Sequence, residues 1–371
     1  MKIESIAVLS DVSIGYGSPQ IVSLSRSLRD FFGASISIFE PDQPDRPSAA
    51  DRYPDLNIER IFTASHPYSE SGQIDFTLQL SDALRRMKPD LVVLCAFFGA
   101  AALLKSGAGG AVIYYGYEHT DGVMIREIRT ISLLAKRVDC AIFCEENRAA
   151  LDAARMGLTK VPTAILYNCS DLISAGRNMS KNGRIIYAGQ IDPDRTYGRR
   201  LFSESFDSFA IDVYGVLRNF PDAPATLDAA ASRNSSVNYC GELEYGHDFI
   251  DLIGNYMYSF VAWAPLSEST LYAAPNKFFD AIAAQTPPLC APHPLCERIV
   301  RRYGCGKILP GWTIEDFVVG VDQALEFAET DAYRRMVEEK LPIAARSLTW
   351  TNQFKKLEKL LTALNLDGSR P

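Results

Sequence analysis

The sequence predicts an α/β protein built on two doubly wound parallel sheets, and three observations carry that expectation. Short apolar runs alternate with segments of helical apolar spacing along nearly the whole chain, the pattern of a parallel sheet covered on both faces. One polar stretch rich in Gly, Ser and Asn, SAGRNMSKNGR at 174–184, interrupts the alternation and reads as a linker. The chain has 371 residues, enough for two domains. Two Rossmann-like domains facing a cleft are therefore expected, over 1–174 and 184–345.

The first series opens with the strand IAVLSD (6–11). A helix over 18–32 places Ile21, Leu24, Leu28 and Phe31 at helical spacing. The strands ASISIF (34–39) and IERIFTA (58–64) follow. A helix over 74–87, with Leu78, Leu80, Leu84 and Met87 mostly on one face, ends at Pro89. The strands DLVVLCAFF (90–98), AVIYYGYE (111–118), CAIFCEE (140–146) and TAILYN (163–168) complete this half, with the helix MIREIRTISLLAKRV between the second and third of these. Beyond the linker the strands are RIIYAGQI, SFAIDVYGV, VNYCGEL, YSFVAWAPL, TPPLCAPH and GKILPG, mostly separated by helical patterns. There is no short-period repeat of the solenoid kind.

Composition narrows the class of function. Apolar residues make up 47% and charged residues 22%, which excludes long-range disorder. The formal net charge is −7, so duplex nucleic acid is not an expected partner. The start, MKIESIAVLSD, lacks the apolar core of a signal peptide, and no stretch approaches the ~20 apolar residues of a membrane span. The eight cysteines include no Cys-x-x-Cys pair, so a zinc site is not expected. They read as reduced, buried thiols of a cytoplasmic protein.

A doubly wound sheet binds its ligands at the carboxyl ends of its strands, which directs attention to four loops. Ser13-Ile14-Gly15-Tyr16-Gly17-Ser18-Pro19 follows the first strand; its glycines let backbone approach a ligand at a helix start. Gln20 occupies the place of a third fingerprint glycine, and there is no Gly-Lys-Ser/Thr, so NAD and ATP loops are disfavoured. Tyr117-Glu118-His119-Thr120-Asp121-Gly122 offers a histidine with neighbouring carboxylates, a set able to move protons. Gly189-Gln190-Ile191-Asp192-Pro193-Asp194-Arg195 opens the second series; Arg195 can clamp a pyrophosphate, with Arg199 and Arg200 as competitors. The richest loop runs from Pro265 through Glu268 to Pro275-Asn276-Lys277-Phe278-Phe279-Asp280. Pro275 suits a helix's first position. Lys277 then lies in the first turn, where a cation makes sense if an anion is also held. Asp280, one turn on, adds a carboxylate for ribose hydroxyls, so the pair reads as a nucleotide-diphosphate site.

In this order the loops resemble the GT-B glycosyltransferases, and most closely the nucleotide-sugar enzymes of family four. The shared elements are the Gly15-Tyr16-Gly17 loop, ILYNCSD (165–171), RIIYAGQID, VNYCGEL, APNKFFDAIAAQTPPL (274–289) and the closing SLTWTNQFKKLEKLL (347–361). The resemblance implies a GT-B fold whose 346–371 segment packs back on the first domain. It implies donor binding by Lys277, Asp280, Arg195, Gly189, Asn276 and Glu268, with Gly15, Gly17 and Asn168 on the acceptor side of the cleft and His119 and Glu118 as catalytic groups. The donor is then a nucleotide-diphosphate sugar and the acceptor a hydroxyl on a glycan, a lipid-linked sugar or a small molecule, as in polysaccharide biosynthesis. No metal or other cofactor is expected. Three departures from the family pattern stand out: Asp280 in place of a second Glu, with Tyr272, eight positions before it, in place of the first; Gln190 after the second-domain Gly; and Gln285-Thr286 in place of Gly before the Pro.

Two other classes fit parts of the pattern: a non-catalytic two-domain sugar-binding protein and a GT-B sugar-nucleotide epimerase. The segment 126–138 sets Arg126, Arg129, Lys136 and Arg137 around an apolar stripe. Such a helix suits either a core position or peripheral contact with the anionic inner face of a membrane.

Overall fold

In the computed structural model, residues 2–16, 18–121, 123–174 and 182–366 are described. The chain divides into two compact units, Met1–Tyr167 with Gln353–Pro371, and Asn168–Asn352.

The first unit holds seven strands: β1 (Ser5–Leu9), β2 (Ser35–Pro41), β3 (Asn57–Ile61), β4 (Leu91–Cys95), β5 (Ala111–Gly116), β6 (Cys140–Phe143) and β7 (Thr163–Ile165). They form one sheet in the order β3-β2-β1-β4-β5-β6-β7, parallel throughout. Every residue of β4, β5 and β6 is buried, as their unbroken apolar runs require when helices cover both faces. The order reverses between β1 and β4, and that crevice is where such a sheet takes a ligand.

The second unit repeats the plan with β8 (Ile185–Ala188), β9 (Ile211–Tyr214), β10 (Val237–Gly241), β11 (Tyr258–Val261), β12 (Pro288–Cys290) and β13 (Lys307–Ile308). The order is β10-β9-β8-β11-β12-β13, again parallel. Its reversal lies between β8 and β11.

Several boundaries differ from expectation for local reasons. The helix Glu70–Met87 starts four residues before 74 because the Ser69 hydroxyl accepts the Gly72 N–H at 3.1 Å. The strand expected over 140–146 stops at Phe143, because Glu145 caps the helix Glu146–Met156 by accepting the Arg148 N–H at 2.8 Å. The division between units falls at 167/168 and 352/353, where 174, 184 and 346 were expected. Within the helix Trp350–Ala363, the Thr351 N–H and hydroxyl both bond Asp171 of the second unit at 2.9 Å. Three residues on, Phe354 meets Phe31 of the first, ring centroids 6.2 Å apart. Most of the expected linker, 175–181, lies outside the described residues.

The basic helix of the first unit is Ile125–Leu134, followed by a single 3-10 turn. Ile131 and Leu134 face the core, whereas Ile125 and Leu133 are 62% and 72% exposed. Among the described residues no helix is long and apolar enough to cross a membrane. All eight cysteines are free and all but Cys240 are buried, which corrects the expectation for that one thiol.

Candidate active site

The second unit gathers four of its expected residues at the carboxyl end of β8. Gly189 takes φ +133° and donates its N–H to the Tyr214 carbonyl at 2.9 Å. A Cβ on the neighbouring Gly215, at φ +142°, would lie 1.8 Å from the Gly189 oxygen, so this crossing of backbones requires glycine. A Cβ on Gly189 itself would meet the Lys277 side chain at 3.4 Å, which places that lysine over the glycine turn.

Lys277 comes from the helix Asn276–Ala283, whose residues 277–283 are all buried. Pro275 stands at the N-cap with extended ψ of 124°, one position earlier than expected. Proline offers no capping side chain, so the first amides of the helix stay open to an anion. Lys277 is 7% exposed. Its Nζ sits 3.7 Å from the centre of the Tyr187 ring and has no hydrogen-bond partner. Burial, then repulsion by Arg195, lowers its pKa to about 7. Asp280 is 6% exposed and accepts the Tyr245 hydroxyl at 3.1 Å. Burial raises its carboxyl to about 7. This is a buried cation and a buried acid, not the exposed pair that the same spacing would give on a surface helix.

Arg195 is carried by a turn in which Asp192 Oδ1 accepts the N–H groups of Asp194 and Arg195 at 3.2 and 2.9 Å. Asp192 therefore shapes the loop. The Arg195 carbonyl accepts the Ala264 N–H at 2.7 Å, and its guanidinium lies 5.8 Å from the Trp263 ring centre. Arg195 Nε is buried without a hydrogen-bond partner. Arg199 is committed elsewhere, to Asp194 at 3.0 Å and Asp222 at 2.9 Å.

Glu268 opens the four-residue helix Glu268–Leu271, half-buried, and Asn276 opens the helix of Lys277. Asn168 was grouped with Gly15 and Gly17 on the acceptor side. It belongs instead to the second unit, where its Nδ2 donates to the Ala274 carbonyl at 2.9 Å and braces the approach to Pro275. Sequence reasoning missed His293. Its Nε2 accepts the Trp263 N–H at 3.2 Å and its Nδ1 lies 3.2 Å from the Leu271 carbonyl, so one buried ring ties both ends of the Trp263–Leu271 loop. The signal was available, since His293 follows β12 closely.

In the first unit, Glu118 and His119 follow β5 and line a cavity of about 450 Å³ together with Asp11. Asp11 follows β1 and accepts the N–H groups of Phe97 and Phe98, after β4, at 2.6 and 2.9 Å. The cavity thus lies at the reversal of strand order. His119 is 3% exposed, not the solvent-facing loop residue a lone histidine would suggest. Its Nδ1 accepts the Asp121 N–H at 3.0 Å and also lies 3.2 Å from Asp152 Oδ1. The first contact needs Nδ1 bare and the second needs a proton on it, so the two partners suit different tautomers of the ring. Asp152 is fixed by the Thr120 N–H and hydroxyl at 3.1 and 2.5 Å.

Gly15 takes φ +88°, and a Cβ there would meet Ala49 at 2.9 Å. It is not among the residues lining that cavity. Gly17 and Gly122 lie outside the described residues. Among the described residues no group of three His, Cys, Asp or Glu side chains could hold a metal ion.

No known family profile and no curated protein sequence matches the chain. Solved structures do. Sucrose-phosphate synthase from Thermosynechococcus elongatus superposes with a TM-score of 0.74 at 12% identity, over 98% of this chain and 99% of that one. Anabaena HepE, in complex with UDP and glucose, gives 0.71 at 12% identity over 96% and 99%. A UDP-N-acetylglucosamine 2-epimerase gives 0.64 at 12% identity over 100% and 98%. The chain has the GT-B fold of nucleotide-sugar glycosyltransferases.

Proposed function

We propose that this protein is a glycosyltransferase that moves a sugar from a nucleotide-diphosphate sugar to an acceptor hydroxyl. The observation that carries the reading is Lys277, a buried amine without a hydrogen-bond partner, beside Arg195 and Asp280 at the ligand-binding end of a doubly wound sheet. A diphosphate would supply the missing partner for Lys277 and Arg195, and ribose hydroxyls would bond Asp280. The complex of HepE with UDP and glucose supports this choice of ligand.

The chemistry follows from the residues. The acceptor oxygen bonds the anomeric carbon as the sugar–phosphate bond breaks, and the diphosphate leaves with the electron pair. Lys277, Arg195 and the open amides at Asn276 and Lys277 stabilise that charge, so the step needs no metal ion. The acceptor hydroxyl's proton passes to His119 or Glu118 in the first unit. With the proton on Nδ1, His119 donates to Asp152 at 3.2 Å and leaves Nε2 to take the acceptor's proton. The helix Ile125–Leu134, with Arg126, Arg129 and the exposed Ile125 and Leu133, gives the first unit a face suited to anionic lipid.

The test is incubation with a panel of nucleotide sugars, scoring nucleoside diphosphate release with and without added sugar acceptors. Acceptor-dependent release is expected. Interconversion of the nucleotide sugar without an acceptor would make the protein an epimerase. Binding without turnover would make it a sugar sensor.

A further inference from the structure

We propose that the cavity of the first unit binds a hydroxylated ligand carrying an amine, and that this cationic compound is the sugar acceptor. The second half of the proposal rests on the transferase reading; the first does not.

The described residues lining the cavity include four carboxylic acids, Asp11, Glu118, Asp121 and Glu127, and no lysine or arginine. Two arginines close to this lining are engaged. Arg126 pairs with Glu70 at 3.0 Å and approaches Glu127 only to 4.0 Å. Arg148 donates to the Tyr117 carbonyl at 3.2 Å. An anionic acceptor such as a phosphate or carboxylate would meet like charge at Glu118, Asp121 and Glu127.

Two further observations point to a ligand. Tyr117 lines the cavity, is 4% exposed, and its buried hydroxyl has no hydrogen-bond partner. That hydroxyl lies within the field of Asp11, Glu118 and Tyr68, all of which line the cavity. A buried phenol without a partner is costly unless a bound group completes it. The other wall is aromatic: the Tyr68 and Phe98 rings lie 5.6 Å apart. Aromatic rings and carboxylates in one lining suit a compound with apolar C–H faces, hydroxyls and a positive charge. Asp11 fits the same picture: burial raises its carboxyl to about 8, and an arriving ammonium would ionise it.

The experiment uses three probes of one size and different charge: glucosamine, glucose and glucuronate. Binding to the whole protein is measured by saturation-transfer NMR below the pKa of the glucosamine amine. Glucosamine is expected to bind about tenfold more tightly than glucuronate, with glucose between. Asp121→Asn and Glu127→Gln should each reduce that preference, and together abolish it. Far-UV circular dichroism and cooperative thermal unfolding should be retained in both, showing that the fold is intact. Equal or better binding of glucuronate, a preference that survives in the double variant, or no glucosamine binding at tens of millimolar would each overturn the proposal. None of these measurements requires donor turnover. Failure of the transferase reading would therefore leave the amine site standing, and failure here would leave the donor site standing.

Discussion

Lys277 Nζ rests 3.7 Å from the centre of the Tyr187 ring, buried, with no hydrogen-bond partner. The ring's negative face and the Asp280 carboxyl favour the amine's charge, and Arg195 opposes it. A group held this way is poised to gain from an anion. We expect Lys277→Ala to lower donor affinity and turnover together. Charge-assisted contacts are worth about 1.5–3 kcal/mol, so the loss should be roughly ten- to hundredfold. Unchanged kinetics in a folded Lys277→Ala protein would remove the diphosphate from this site.

The pH dependence follows from the same pair. Lys277 is lowered to about 7 and Asp280 raised to about 7, both chiefly by burial. Above pH 7 Lys277 must take up a proton to meet a diphosphate, so affinity should fall as pH rises. Below pH 7 Asp280 must lose one to accept hydroxyls, so affinity should fall as pH drops. A bell centred near pH 7 is expected in nucleoside diphosphate binding, with Asp280→Asn flattening the acid limb and Lys277→Ala the alkaline limb. For stability the signs are set by the unfolded values. The lowered Lys277 makes the fold gain stability between about pH 7 and 10.5, and the raised Asp280 makes it lose stability between 3.8 and about 7. The fold is therefore least favoured by this pair near neutrality, where the ligand would help it most.

How much of this was legible in the sequence depends on the kind of contact. The two sheets were, because unbroken apolar runs such as LVVLC in β4 admit few other fates. Lys277 and Asp280 were, because one helical turn separates them. Their burial was not: it comes from Tyr187 and Arg195 around Lys277 and Tyr245 beside Asp280, which lie 35 to 90 residues away in sequence. Asp11 was passed over for the same reason, since its partners Phe97 and Phe98 are 86 and 87 residues on. Asn168 was legible only as part of the ILYNCSD resemblance, while the hydrogen bond that fixes it reaches 106 residues forward.

Activity is expected to survive chelation by EDTA. Two cationic side chains, Lys277 and Arg195, flank the place proposed for the leaving diphosphate, and Asp192 of the Asp-Pro-Asp turn is used by backbone amides. Loss of turnover that returns on adding Mg²⁺ or Mn²⁺ would show that these two charges do not suffice.

Ile125 and Leu133 lie eight residues apart on the helix Ile125–Leu134, both exposed, with Arg129 midway between them. Residues four apart share a helix face. The protein should co-float with vesicles containing anionic lipid and not with neutral ones, and Ile125→Ser with Leu133→Ser should abolish this. Equal recovery of wild type and double variant would leave the face without a lipid partner.

Asp280 can be tested at a single contact. Its carboxylate accepts Tyr245 at 3.1 Å through one oxygen and keeps further lone pairs for the ribose 2′ and 3′ hydroxyls. Asp280→Asn preserves size and removes charge and acceptor strength. A fall of about 1–3 kcal/mol in nucleotide binding is expected, the scale of a lost buried partner. A 2′,3′-dideoxy nucleotide should weaken binding to the wild type by a similar amount and weaken the variant's little further, because the same contact cannot be lost twice. Simple addition of the two losses would mean that the carboxylate never meets the ribose, and that its role is to hold Tyr245 beside Lys277.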